Sequence, residues 1–516
     1  MKYTFINSRK MLAIAVLVTV AGLLSGCKKN FLDREPQGQY TLETYPYPSG
    51  SGPYDTYLFG AYSELRAYNV HSQFFIAATS IRSDDADKGS TPADGGANVI
   101  SMDNFPVLPD NGYTNGLWTG YYTMVNRCNI AIDQVRHNAA IEATPAVKAQ
   151  SEAEARFLRA YAYFNLVRFF GRVPLVDSVF TDAASQSNVP QSPPAVIYNF
   201  IENDLQFAAA NLPLSWDAQF VGRATKGAAN GLLAKVYLTQ QKWAQAMTTA
   251  GMVINSGVYS LHPSYDILFR EQGENSQESV FEVQATANAT QQTAFGVQYA
   301  SIQGVRGAGQ WNLGWGWNTP SEQLASVYEP GDPRRGRTIL FTSTATTPGI
   351  TIYGETTPQG LPNPRYNHKV YTNPQIRSSV NSQAGYWFNI RLLRYADVLL
   401  MYAEAANEVG GTANTTEALA KLEMVRARAR AGNNAILPPV TTTNQGQLRD
   451  AIRHERRVEL AMEHDRFWDI VRWGIAQQVL HAAGKTNFNQ NRDVLLPIPQ
   501  VQIDLSRGVL TQNPGY

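Results

Sequence analysis

Three glutamates, Glu455, Glu459 and Glu463, stand four residues apart in the run ERRVELAMEHDRFWDIVRWG, a spacing that puts them on one face of a helix. Paired carboxylates cleave glycosidic bonds, one donating a proton while the other attacks or activates water. The same run also sets Arg456/Glu459, Glu463/Arg466, Arg466/Asp469 and Asp469/Arg472 three apart. Opposite charges at that spacing support a helix, and ion-paired packing is the simpler reading. A second acidic group, Asp84, Asp85 and Asp87 with Asp94 nearby, lies in a loop containing Gly89. Oxygen-rich loops can hold Ca²⁺, but the spacing and closing Glu of an EF-hand are missing. A solvated loop is expected, with Asp84 or Asp85 hydrogen-bonding ligand hydroxyls as an alternative. None of the seven histidines forms an HExxH pair, and no GxGxxG, Walker-type or GxSxG pattern occurs. No catalytic residue, metal ligand or cofactor is therefore assigned.

Aromatic residues offer a different chemistry. The stretch WNLGWGWN holds Trp311, Trp315 and Trp317, three of nine tryptophans within seven residues. Glycines between them leave an indole room to lie flat and exposed, and Asn312 and Asn318 add amide donors and acceptors. A flat apolar face beside amides suits a sugar ring or a peptide. The competing reading is that these rings anchor a long loop to the body. Tyr113 and Trp118 are weaker candidates, and the seven tyrosines from Tyr40 to Tyr68 are expected to pack an N-terminal arm.

These residues must be held by helices. Phe157, Ala160, Tyr161, Phe164 and Val167 repeat at helical spacing, and Leu158, Ala162, Leu166 and Phe169 widen the stripe. The pattern predicts a helix over 151–170, packed on more than one side and ended by Gly171 and Pro174. Further helices are predicted over 195–210, 225–240, 243–255, 391–409, 416–430 and 448–473. Leu233, Ala234, Tyr237, Trp243 and Ala246 resemble a degenerate tetratricopeptide helix pair. Between 257 and 390 the helical pattern fades into Gly, Thr, Pro, Asn and Gln with short strand-like pieces such as Ser279–Val283. A long irregular insertion on a rigid scaffold is where binding residues concentrate.

The chain has 516 residues, of which 44% are apolar and 16% charged, the latter below the roughly 25% of an average soluble domain. A formal charge of +1 without a basic run argues against a nucleic-acid partner. Near the start, Lys2, Arg9 and Lys10 precede an apolar run from Met11 to Leu24, too short to span a bilayer comfortably. This describes an export signal, and Leu24-Ser25-Gly26-Cys27 resembles the bacterial lipobox, in which Cys27 is lipidated and becomes the new N-terminus. Cleavage there removes three basic residues and no acidic one, leaving a charge of −2. Several acyl chains on one residue anchor stably where a single chain does not. Lys28, not Asp, follows Cys27, which permits export to the outer membrane. Residues 28–56 read as an extended arm or tether. With Cys27 used, Cys128 has no partner and is expected to be a small buried hydrophobe.

Several stretches in order resemble the SusD/RagB family of Bacteroidetes surface lipoproteins. They are Cys27 followed by Asn30-Phe31-Leu32-Asp33, then YYTMVNRCNIAID from Tyr121 and EAEARFLRAYAYFNLVRFFGRVPL from Glu152. Next come RYADVLLMYAEAANE from Arg394, the glutamate run from Glu455, Leu495-Leu496-Pro497-Ile498-Pro499, and Gln512 to Tyr516. The resemblance implies a mainly α-helical scaffold of tetratricopeptide-like pairs without catalytic activity. It also implies a lid over a SusC-like TonB-dependent outer-membrane transporter, capturing glycans, or oligopeptides in some branches, for import. Expected boundaries are a signal peptide at 1–26, an N-terminal helical part at 27–256, a loop-rich ligand-binding insertion at 257–390 and a C-terminal helical part at 391–516. Because ligand loops vary between members, candidates are regional: Asp84, Asp85 and Tyr113 in early loops, and Trp311, Trp315 and Trp317 in the insertion. A lipoprotein glycosidase and a purely protein-binding scaffold are the remaining alternatives.

Overall fold

Helices carry most of the core. In the computed structural model, which describes residues 52–180, 182, 185 and 189–516, they include α1 (Asp55–Ser63), α2 (Gly112–His137), α3 (Pro145–Phe170), α4 (Pro194–Asn211) and α5 (Lys226–Thr239). They continue with α6 (Trp243–Ile254), α7 (Tyr395–Val409), α8 (Thr412–Arg430), α9 (Gln445–Glu459) and α10 (Arg466–Arg472). Consecutive helices from α2 to α8 pack on one another, and α6 meets α7 although the whole insertion separates them in sequence. Such nearest-neighbour stacking of helix pairs is how repeat scaffolds bury a continuous core. The helical fold class is as expected. The export segment, Cys27 and most of the 28–56 arm lie outside the described residues.

Local sequence explains the strongest helix. Thr144 caps α3 by accepting from the Val147 amide, Pro145 occupies the first turn, and Gly171 ends it at φ +70°. Buried residues surround it, Phe157, Tyr161, Phe164 and Phe169 among them, so it is central rather than amphipathic. Cys128 on α2 is fully buried, and burial pushes its thiol up. In α5, a Cβ at Gly231 would stand 2.5 Å from the tip of the Leu393 side chain, so a larger residue there would displace a side chain of the chain that crosses it.

That crossing chain corrects one expectation. Residues 390–394 form a strand, not the first turn of a helix over 391–409. Strand β2 (Ser279–Val283) pairs antiparallel with β6 (Ile390–Arg394), whereas α7 begins at Tyr395. Elsewhere, β1 (Ala86–Gly89) pairs with β3 (Trp317–Pro320), and β4 (Ile339–Phe341) with β5 (Arg365–Asn367), each antiparallel.

A second correction concerns 448–473, which is two helices. After Glu459 the chain turns through Met462 (φ +66°) and His464 (φ +71°) before α10 starts at Arg466. Of the four i,i+3 charge pairs expected there, only Asp469–Arg472 forms, at 2.9 Å. The other charges find distant partners. Glu459 lies between Arg428 (2.5 Å), Arg334 (3.1 Å) and Arg394 (3.2 Å), Glu455 bonds Arg334 and Arg426, and Glu463 bonds Arg394 and Lys369. Glu278, beside β2, completes the cluster by pairing with Arg394 and Arg428. Buried charges are tolerated only when paired and hydrogen-bonded, and this cluster ties the insertion to α8 and α9.

Candidate functional site

The three tryptophans of the insertion face different ways. Trp317 opens β3, whose register sets it opposite Gly89, and it is 3% exposed. The Lys88 ammonium lies 4.9 Å from its ring, and a Cβ on Gly95 would sit 2.3 Å from it. Trp311 is 6% exposed, within a small cluster of Val305, Leu313, Leu340, Tyr366 and Tyr371. These two anchor the loop, as the competing reading held, and are not open to a ligand in this structure. Trp315 is 52% exposed.

The backbone explains the difference. The Trp315 amide donates to Ser301 (2.9 Å) and the Gly316 amide to Gly304 (2.9 Å), while the Gly316 carbonyl accepts from Ser90 (2.6 Å). Gly316 takes φ +68° with the Arg306 Cβ 2.7 Å from where its own Cβ would be. The turn is thus closed from both sides, and the indole between two buried neighbours projects outward. Beside it the Arg306 guanidinium lies 5.5 Å from the ring and pairs with Asp94 at 2.9 Å. Asp94 also accepts from the Ser90 hydroxyl at 2.7 Å. An exposed aromatic face next to a fixed donor and acceptor can stack on the C–H face of a sugar and bond its hydroxyls. Sequence reasoning missed Arg306, although a lone Arg in GVRGAG five residues before Trp311 was available as a signal.

Asp84 and Asp85 are buried, not solvated. They are 3% and 1% exposed. Arg466 grips both Asp84 oxygens at 2.8 Å, and Arg457 reaches Asp84 at 2.9 Å and Asp85 at 2.6 Å. Burial opposes the charge on Asp84, but Arg466 and Arg457 outweigh it and hold the carboxyl down to about 2. On Asp85 burial wins and pushes the carboxyl up, despite Arg457. Their carbonyls accept from the Ser321 hydroxyl (2.7 Å) and amide (2.9 Å), which fixes β1 against the end of β3. The pair thereby positions the tryptophan segment.

Tyr113 is also buried, its ring 4.5 Å from that of Phe74, and burial pushes its phenol up. Trp118 packs on Tyr122 and Phe170. Of the early-loop and insertion candidates, only Trp315 presents its side chain to solvent. Among the described residues no group of three or more His, Cys, Asp or Glu is placed to hold a metal ion.

The glutamate ladder is equally closed. Glu455 and Glu459 are fully buried. Burial works against the Glu459 charge, yet Arg428, Arg394, Arg334 and Lys369 together hold its carboxyl well below the usual range. A general acid needs a pKa near the working pH and reach to substrate. Glu459 has neither.

Comparison with known proteins places this geometry. Residues 277–516 match the family described as "SusD family", and residues 61–238 match "Starch-binding associating with outer membrane". The SusD-like protein P2 of Formosa agariphila is 30% identical over 476 residues, covering 89% of this chain and 91% of its own. Among solved structures, a laminarin binding SusD-like protein superposes with a TM-score of 0.74 at 28% identity, covering 90% of this chain and 99% of its own. Surface glycan-binding protein A from Bacteroides thetaiotaomicron, in complex with laminarihexaose, gives 0.73 at 25% identity, with 89% and 98% covered. Near-complete coverage, family matches in both halves and a shared helical scaffold lead to one conclusion: the chain belongs to the SusD/RagB family.

Proposed function

We propose that this chain is a non-catalytic surface lipoprotein of the outer membrane, anchored through Cys27, that binds nutrient oligosaccharides or polysaccharides and delivers them to a SusC-like TonB-dependent transporter. The observation that carries the reading is Trp315, an exposed indole on a rigid turn with the Arg306–Asp94 pair beside it. Support comes from relatives whose names state laminarin or glycan binding, and from a matched family described as starch-binding and associating with the outer membrane. The lipobox supplies the anchor, and the buried, arginine-locked glutamates speak against hydrolysis.

Isothermal titration of the mature protein against laminari-, malto-, cello- and xylo-oligosaccharides, with oligopeptides alongside, tests ligand class. Saturable binding of at least one glycan without its hydrolysis is expected. Binding of peptides while every glycan fails would move the assignment to peptide import. Transporter delivery is tested by co-purification from native outer membranes, and absence of a TonB-dependent transporter there would overturn that part.

A further inference from the structure

Ser90 follows β1 at the start of the loop that carries Asp94. It is 3% exposed, so it lies behind the face formed by Trp315, Arg306 and Asp94 rather than on it. All three of its polar groups are engaged, each by a different part of that face. The amide donates to the Gly316 carbonyl at 2.6 Å, which fixes the turn directly after Trp315. The hydroxyl donates to Asp94 Oδ2 at 2.7 Å, the oxygen that Arg306 Nη2 also meets at 2.9 Å. The carbonyl accepts from Asn363 Nδ2 at 3.0 Å. Asn363 Nδ2 also donates to the Tyr366 hydroxyl, which donates to the Arg306 carbonyl, both at 3.3 Å.

The loop backbone has support of its own. The Asp94 amide donates to the Thr91 carbonyl at 3.1 Å, and the Lys88 ammonium bonds the carbonyls of Thr91 (2.9 Å) and Asp94 (3.2 Å). What the Ser90 hydroxyl adds is the direction of the carboxylate. Arg306, the other partner of Asp94 Oδ2, has a side chain 29% exposed, whereas Ser90 is buried on a backbone bonded at both its amide and its carbonyl. Hydrogen bonds from Ser90 and then Thr91 hold the Asp94 carboxyl below its ordinary range, and Arg306 adds to the effect, because a donor to the charged form favours it. An acceptor held in place before the ligand arrives loses less freedom on binding.

We infer that Ser90 is a positioning residue for glycan binding: its amide fixes the Trp315 turn while its hydroxyl aims the Asp94 carboxylate, so that a sugar stacked on the indole finds an acceptor at one set separation. The inference rests on the glycan-binding reading above and adds to it the buried group that sets platform and acceptor relative to each other.

The test is titration of the full mature protein, from neutral to acid pH, with the tightest-binding of laminari-, malto-, cello- and xylohexaose. Ser90→Ala removes the hydroxyl and keeps the amide. Ser90→Gly does the same and suits the φ of +57° at this position, so a failure of one to fold leaves the other. Each is expected to weaken binding at neutral pH about 3- to 10-fold, the worth of one net hydrogen bond. Affinity is full while Asp94, facing Arg306 and Lys88, is charged, and it falls as pH drops through its lowered value. Loss of the hydroxyl should therefore move that acid limb to higher pH, which a merely structural loss would not do. Asp94→Ala should abolish the limb, and adding Ser90→Ala to it should change affinity by less than about twofold. Losses that add in the double variant, or a limb that stays in place, overturn the action of Ser90 through Asp94. If both Ser90 variants match the wild type to within about twofold while Trp315→Ala weakens binding, the positioning role is refuted and the glycan-binding reading stands. A wild type that binds none of the glycans overturns both.

Discussion

Replacing Glu459 with Gln separates a structural carboxylate from a catalytic one. In the native protein its Oε1 accepts from Arg428 at 2.5 Å and Arg394 at 3.2 Å, and its Oε2 from Arg334 at 3.1 Å. Glutamine keeps one acceptor oxygen but turns an NH₂ toward at least one guanidinium, so a donor faces a donor. The three arginines retain Glu278, Glu455, Glu463 and Asp332, which limits but does not remove the imbalance. Breaking a buried charge pair costs about 3–5 kcal/mol, and the residual partners place the expected loss at about 3 kcal/mol, the low end of that range. Urea denaturation followed by tryptophan fluorescence reads it as a lower midpoint with an unchanged slope. A loss below about 1 kcal/mol would refute the view that this network joins the insertion to α8 and α9. A glycan cleaved by the wild type and left intact by a folded Glu459→Gln protein would refute the non-catalytic assignment.

Other substitutions and conditions follow from the same geometry. Trp311→Ala should lower stability by about 3–5 kcal/mol, since the ring is buried against Tyr371 and Leu361 lies in the same cluster; a change under about 1 kcal/mol in denaturant midpoint free energy would contradict its anchoring role. Asp84 has a folded value of about 2, below its ordinary 3.8, so its contribution is fully present above about pH 4–5 and is lost as pH falls toward 2. Acid titration of Asp84→Asn should accordingly show a shallower decline over that window than the wild type, and equal slopes would count against the Arg466 pairing.

The central helices were legible because their signals are local. Thr144, Pro145 and Gly171 bracket α3 in the sequence just as they do in space, and the Phe157 to Phe169 stripe already says that it is packed on several sides. The break after Glu459 was not legible: no Gly or Pro interrupts 448–473, and Met462 and His464 adopt left-handed φ in a turn where Glu463 meets the distant Arg394 and Lys369. In the same way Ile390-Arg-Leu-Leu-Arg continues the helical spacing of α7, and only pairing with Ser279–Val283 makes it a strand. Asp84 and Asp85 resembled a ligand loop because the arginines that bury them, Arg457 and Arg466, lie more than 370 residues onward. The three tryptophans are alike in composition and setting, and what distinguishes Trp315 is the pairing of β1 with β3, which buries Trp317 and turns its neighbour out. The Arg306–Asp94 pair is a tertiary arrangement with no sequence period to announce it.

The most direct measurement is the affinity of Trp315→Ala for the glycan that the wild type binds best, with denaturant stability measured on the same sample. Truncating a stacking platform removes about 2 kcal/mol or more of binding, and because the indole is exposed the fold should be unchanged to within about 0.5 kcal/mol. The account predicts a loss of affinity of at least about tenfold in a fully stable protein. Unchanged affinity in a stable Trp315→Ala protein would contradict it, and would place the glycan elsewhere than the face built by Trp315, Arg306 and Asp94.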